Sequence, residues 1–190
     1  MDINESIIEL GSKLDAWLDG NLDTISSMDR VAQFKALLAG VEITKELDQL
    51  KAKGLAAITE LVNQQHALPE AQRVMSLLRG FEFGAKLSAT LHDELMDTDG
   101  GNKVWRLTRA IADALDAIGP GRAALAGLLD HSDDRVRAAA GAHLMELMPD
   151  RVLPILQKIA DREPFDSAAS TAHWTIVHWE REGKFKAKSK

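Results

Sequence analysis

The sequence contains no cysteine and no tyrosine. Lack of cysteine excludes disulfides, thiolate zinc sites and cysteine nucleophiles, and it fits a reducing cytosol. Aromatic residues make up only 5% of the 190 residues. Apolar runs extend for a few residues at most, too short to span a membrane. The opening MDINESIIEL is acidic and lacks the basic stretch and apolar block of a secretory signal. A cytoplasmic protein without membrane contact is therefore expected. The chain also has no phosphate-binding glycine loop, no G-x-S-x-G, no dinucleotide-binding glycine pattern and no H-E-x-x-H. Together with the helical pattern described next, these absences favour a binding role over an enzyme. No cofactor and no metal are expected.

What is present is ordinary in amount and uneven in distribution. Apolar residues reach 45% and charged residues 27%, enough for a sizeable core. The net charge of −6 is carried by the first half, where residues 1–100 hold 9 basic against 17 acidic side chains. Residues 101–190 hold 14 basic against 12 acidic. An acidic half repels nucleic acid and steers basic partners.

Almost every apolar pattern has helical spacing, so the fold class expected is all-α. Ile3, Ile7, Leu10, Leu14 and Trp17 form one stripe, ended by Gly20. Separate helices are expected to carry Val31 to Val41 and Leu47 to Val62, with Gly40 and Gly54 as weak points. Pro69 suits the first turn of a helix with the stripe Val74, Leu77, Leu78, Phe81, Ala85, Ser88, Leu91 and Leu95. This helix and the one before it are expected to pair as an extended antiparallel hairpin.

DTDGGN at 97–102 is the strongest break and is read as a flexible acidic turn at a domain boundary. It fails as a calcium loop, because positions 5, 6 and 12 counted from Asp97 are Gly101, Asn102 and Thr108. The expected division is a helical bundle or hairpin over 1–98, a helical repeat domain over 103–183, and a disordered basic tail at 184–190. In the second unit Val104, Leu107, Ile111, Leu115 and Ile118 form a stripe, and Leu125, Leu128 and Leu129 a short helix. Asp133 suits the N-cap of a helix with Val136, Ala139, Ala140, His143, Leu144 and Leu147 on one face, ended by Pro149. Val152, Ile155, Leu156 and Ile159 share another face. Short paired helices with one buried stripe each are the units of an α-solenoid.

Within this unit, Leu128-Leu129-Asp130-His131, the run Asp133 to Arg137, PDRVLPILQKIA at 149–160 and Trp179 in HWEREG carry a resemblance. Residues about 103–183 resemble a small bacterial HEAT-like family of unknown function whose members occur beside polymorphic toxins. The resemblance implies a HEAT-like α-solenoid and an immunity protein that binds a cognate toxin and covers its active site. If the acidic half makes the contact, the toxin surface is basic. Asp93, Glu94, Asp97 and Asp99 are then the candidate exposed carboxylates. A general helical adaptor is the alternative. A nucleic-acid binder using Arg106, Arg109, Arg122, Arg135 and Arg137 is less favoured, because aspartates are interleaved with that row.

AHWTIVHWERE at 172–182 holds two His-Trp pairs. His173 and His178 point about 140° apart on a helix, so they do not share a metal ion. The same wheel puts Phe165, Ala168, Ala169, Ala172, Ile176 and Trp179 on a core stripe. Trp174 falls nearly opposite, beside His178 and Arg181. These three form a competing candidate partner surface, unless the N-terminal half covers them. His143 is expected to bond between helices, and His131 to sit at the end of the helix before it.

Overall fold

The structure is a computed structural model that describes residues 30–64, 68–162 and 166–188. All regular structure among the described residues is helical. The helices are α1 (Arg30–Gln64), α2 (Glu70–Asp93), α3 (Thr98–Asp116), α4 (Gly121–Gly127), α5 (Asp134–Leu144), α6 (Pro149–Ala160) and α7 (Ser167–Lys188). A 3₁₀ turn, Leu128–Asp130, links α4 to α5. None of these helices is long and apolar enough to cross a membrane. The stripe from Ile3 to Trp17, and Phe165, lie outside the described residues.

The two helices expected at 31–41 and 47–62 are one continuous helix, α1. A glycine costs a helix only about 1 kcal/mol, and the surrounding Ala, Leu, Glu and Lys residues sustain it. α1 lays Leu50, Leu55, Ile58, Leu61 and Val62 on the core and leans across both α2 and α3. The broad antiparallel pairing of the molecule is therefore α2 with α3 rather than α2 with α1.

α2 is the central helix and touches α1, α3, α4, α5 and α7. The expected stripe is buried at Val74, Leu77, Phe81, Ala85, Ser88 and Leu91. Leu87, Ala89 and Thr90 are buried as well, so the second half of the helix is enclosed nearly all round. Small residues make this possible. Gly80, Gly84 and Ser88 recur every four residues and form one low ridge. A β-carbon on Gly84 would lie 2.3 Å from Thr108 Oγ1 of α3, and one on Gly80 would lie 2.9 Å from the methyls of Leu61 in α1. One turn further, the Ser88 hydroxyl donates to the Gly101 carbonyl at 3.0 Å.

DTDGGN is not a loose linker. Asp97 is the N-cap of α3 and accepts from the Gly100 amide, so the glycines belong to the first helical turn. Gly101 is required there because the His92 ring of α2 lies where a β-carbon would be. The chain enters this cap through Met96, held at a φ of +50°. A single apolar cluster continues across the turn, from Ile58 of α1 to Ile176 of α7.

In the second half the caps follow the sequence more closely. Asp133 caps α5 through the Arg135 amide, as expected. α5 ends at Leu144, before Leu147, which lies in the following turn and is 47% exposed. Pro149 does not stop α5 but opens α6, where its missing N–H is not needed. α6 buries Val152, Leu156 and Ile159, and α7 buries Ala168, Ala169, Ala172 and Ile176. α7 packs on both α5 and α6 and runs to Lys188, into the segment expected to be an unstructured tail.

The Gly84–Thr108 approach gives a direct test. Helix propensity alone favours Gly84→Ala by about 1 kcal/mol, but the added carbon overpacks the α2–α3 contact. A net loss of about 1–2 kcal/mol in urea unfolding is expected. Combined with Thr108→Ala, the same substitution should become neutral or stabilising, because the clashing hydroxyl is gone.

Candidate binding cleft

α3 presents two faces. Val104, Thr108, Ile111 and Leu115 are buried in the core. The adjacent face carries Trp105, Arg109, Asp113 and Asp116, again at spacings of three and four. This face forms one wall of an open cleft of about 880 Å³. α5 and the turn after it supply His143, Glu146 and Leu147, and α7 supplies Thr171, Trp174, His178 and Trp179.

The cleft walls are tied together. His143 Nε2 donates to Asp116 Oδ2 at 3.1 Å, joining α5 to α3 as expected of this histidine. Its Nδ1 lies 3.9 Å from Asp113 Oδ1. The other oxygen of Asp116 accepts from Arg122 Nε at 3.0 Å. On α7, Trp179 is half-buried against the core, whereas Trp174 is 50% exposed. His173 stands edge-on to the Trp174 ring at 5.3 Å between centroids, and His178 lies tilted at 6.3 Å. Trp174 is thus held in position with half its surface open. No described segment of the chain covers it.

The candidate residues from the sequence divide unequally. Trp174 and His178 line the cleft; Arg181 is exposed and outside its lining. Of the candidate exposed carboxylates, Asp93, Glu94 and Asp99 are exposed and Asp97 is half-buried, and Asp93 and Asp97 are engaged in holding helices. Asp93 accepts from the Ser167 amide at 2.9 Å and the Ser167 hydroxyl at 2.7 Å, which fastens the start of α7 to the end of α2. Asp97 caps α3 and pairs with Lys51 of α1 at 3.0 Å. The sequence does not single out Trp105, Asp113, Asp116 or Glu146. The signal of the first three is the helical stripe beside the buried face of α3, which has no meaning until α5 and α7 are placed opposite it; Glu146, in the turn after α5, carries none.

The arginine row is largely engaged. Arg135 grips Asp133 at 2.7 Å, Arg137 pairs with Asp134, and Arg122 pairs with Asp116. Arg106 and Arg109 are exposed and make no ion pair among the described residues. His131 is the C-cap of the 3₁₀ turn before it, its amide donating to the Leu128 carbonyl, and its ring Nδ1 accepts from the Asp133 amide at 3.0 Å. Among the described residues no group of three or more His, Asp or Glu is placed to hold a metal ion. Set against family models, curated proteins and solved structures, the chain matches none.

Two carboxyls sit below the usual range. The Gly100 amide, followed by Lys51, lowers Asp97 against the opposing effect of burial. For Asp133, burial pushes upward and the side-chain and backbone hydrogen bonds from Arg135 outweigh it. A depressed carboxyl stabilises the fold above its unfolded pKa of about 4, and that contribution is lost as pH falls through the folded value. Asp97→Ala should cost about 1 kcal/mol at neutral pH. Asp97→Asn should keep most of the cap and lose less stability than wild type between neutral pH and pH ~3, measured by urea unfolding.

Proposed function

We propose that this chain is a non-catalytic protein-binding protein that takes a segment of a partner into the cleft between α3, α5 and α7. The observation that carries this reading is Trp174, half open at the cleft mouth and steadied by His173 and His178. A large aromatic ring already held in place loses little conformational freedom on binding. Tryptophan and arginine dominate the energetics of protein interfaces. Leu147, exposed on the cleft lining, adds apolar surface beside it.

The resemblance over 103–183 makes a cognate bacterial toxin the proposed partner, and occlusion of its active site the proposed mode. The cleft is preferred to the 93–99 turn as the contact, because Asp93 and Asp97 are committed to holding helices. A general adaptor would use the same cleft without protecting a cell, so a growth assay separates the two. The nucleic-acid reading is weakened by the pairing of Arg122, Arg135 and Arg137 with aspartates.

Co-expression of this chain with its proposed cognate toxin should restore growth of cells that the toxin alone kills. Trp174→Ala should lose protection, with affinity reduced about thirtyfold, as for a hot-spot residue of about 2 kcal/mol. Asp99→Lys should protect as wild type does. Full protection by Trp174→Ala would remove the cleft from the interface.

A further inference from the structure

We infer that the cleft is built to receive an arginine side chain of the partner segment. This deepens the protein-binding reading and rests on it.

Three of the four tryptophans of the chain, Trp105, Trp174 and Trp179, line this one cleft from two helices. Indole walls alone would accept any flat apolar group. Charge narrows the choice. Asp113 has a side chain 72% exposed, and its one ion-pair contact among the described residues is with the His143 ring, Nδ1 lying 3.9 Å from Oδ1. Glu146 is exposed in the turn after α5 and has no partner among the described residues. Asp116 is already occupied by His143 and Arg122. Two carboxylates with unfilled hydrogen-bonding capacity therefore border the indoles.

The opposing charge is Arg109, on the same helix as Asp113 and four residues before it, yet not paired with it. An incoming carboxylate would meet Arg109 but also Asp113 and Glu146. An incoming cation finds two acceptors and the exposed ring of Trp174, with the half-buried Trp105 and Trp179 also in the lining. A guanidinium suits this combination better than an ammonium. It is flat, more weakly hydrated, stacks on an indole, and donates from its edge to a carboxylate while stacked.

The test uses the full chain and two synthetic peptides, Gly-Arg-Arg-Gly and its twin with citrulline at both arginine positions. Citrulline keeps the length and planarity but not the charge. Binding is followed by calorimetry and by tryptophan fluorescence at low salt. The arginine peptide should bind saturably, and about tenfold more tightly than the citrulline twin. Asp113→Asn and Glu146→Gln should each weaken the arginine peptide roughly two- to fivefold and leave the twin unchanged. Arg109→Gln should tighten it by a similar factor. Both carboxylates and Arg109 are solvent-exposed, so these variants should melt as wild type does. Equal binding of the two peptides, or no saturable binding of the arginine peptide, would overturn the inference. So would carboxamide variants that bind it unchanged. If the toxin is still neutralised through Trp174 in any of those cases, the protein-binding reading stands and the arginine assignment alone fails.

Discussion

The close approach of α2 and α3 is the contact on which the rest of the molecule depends. Gly84 has no side chain, and Thr108 fills the space that one would take. Thr108 can be buried because its hydroxyl donates back to the Val104 carbonyl at 2.9 Å, within its own helix. With the two axes this close, the Ser88 hydroxyl reaches the Gly101 carbonyl and the His92 ring covers the start of α3. The azimuth of α3 is thereby fixed. Turning Thr108 and Ile111 toward the core turns Trp105, Arg109, Asp113 and Asp116 toward the cleft, since the two stripes are on adjacent faces.

Aspartate does much of the remaining fastening, and mostly at helix ends. Asp97 caps α3 and reaches α1 through Lys51; Asp93 holds the first residue of α7; Asp133 caps α5. Asp134 pairs with both Arg137 and Arg162, and Arg162 in turn pairs with Asp166, which accepts from the Ala169 amide in the first turn of α7. Such positions reward a short carboxylate, which meets unpaired amide donors and the positive end of the helix. These five aspartates are engaged within the fold and are not free to meet a partner.

The sequence makes the amphipathic elements legible and leaves the enclosed ones obscure. α6 and α7 each present one apolar stripe against a polar remainder, so periodicity alone separates Trp179 from Trp174. α2 defeats the same reasoning, because a helix buried on nearly all sides has no single stripe, and Gly80 and Gly84 resemble weak points rather than contact points. DTDGGN reads as a break for a related reason: glycines that admit the His92 ring look the same in sequence as glycines that loosen a loop. The partnership of Asp93 with Ser167 crosses 74 positions. Nothing local signals it, and without it Asp93 looks like a free surface charge. The cleft is the extreme case, since its residues come from three helices and only Trp174 and His178 stand out singly.

Asp116 holds the walls of the cleft rather than facing it as a free carboxylate. It is the aspartate nearest the α3–α5 seam, and it is held by His143 on one oxygen and Arg122 on the other. Breaking that arrangement to serve a ligand would leave an imidazole without its partner and loosen α5 from α3, so the ligand would have to offset that loss before binding. Asp113, one turn earlier and far more exposed, carries no such duty. The division of labour between two aspartates three residues apart lets one hold the walls while the other stays open. A rigid wall matters here because indole contacts depend on ring placement, and Trp174 is already set between His173 and His178. A partner group that fits therefore meets a surface that needs little rearrangement, which favours slow release over fast capture.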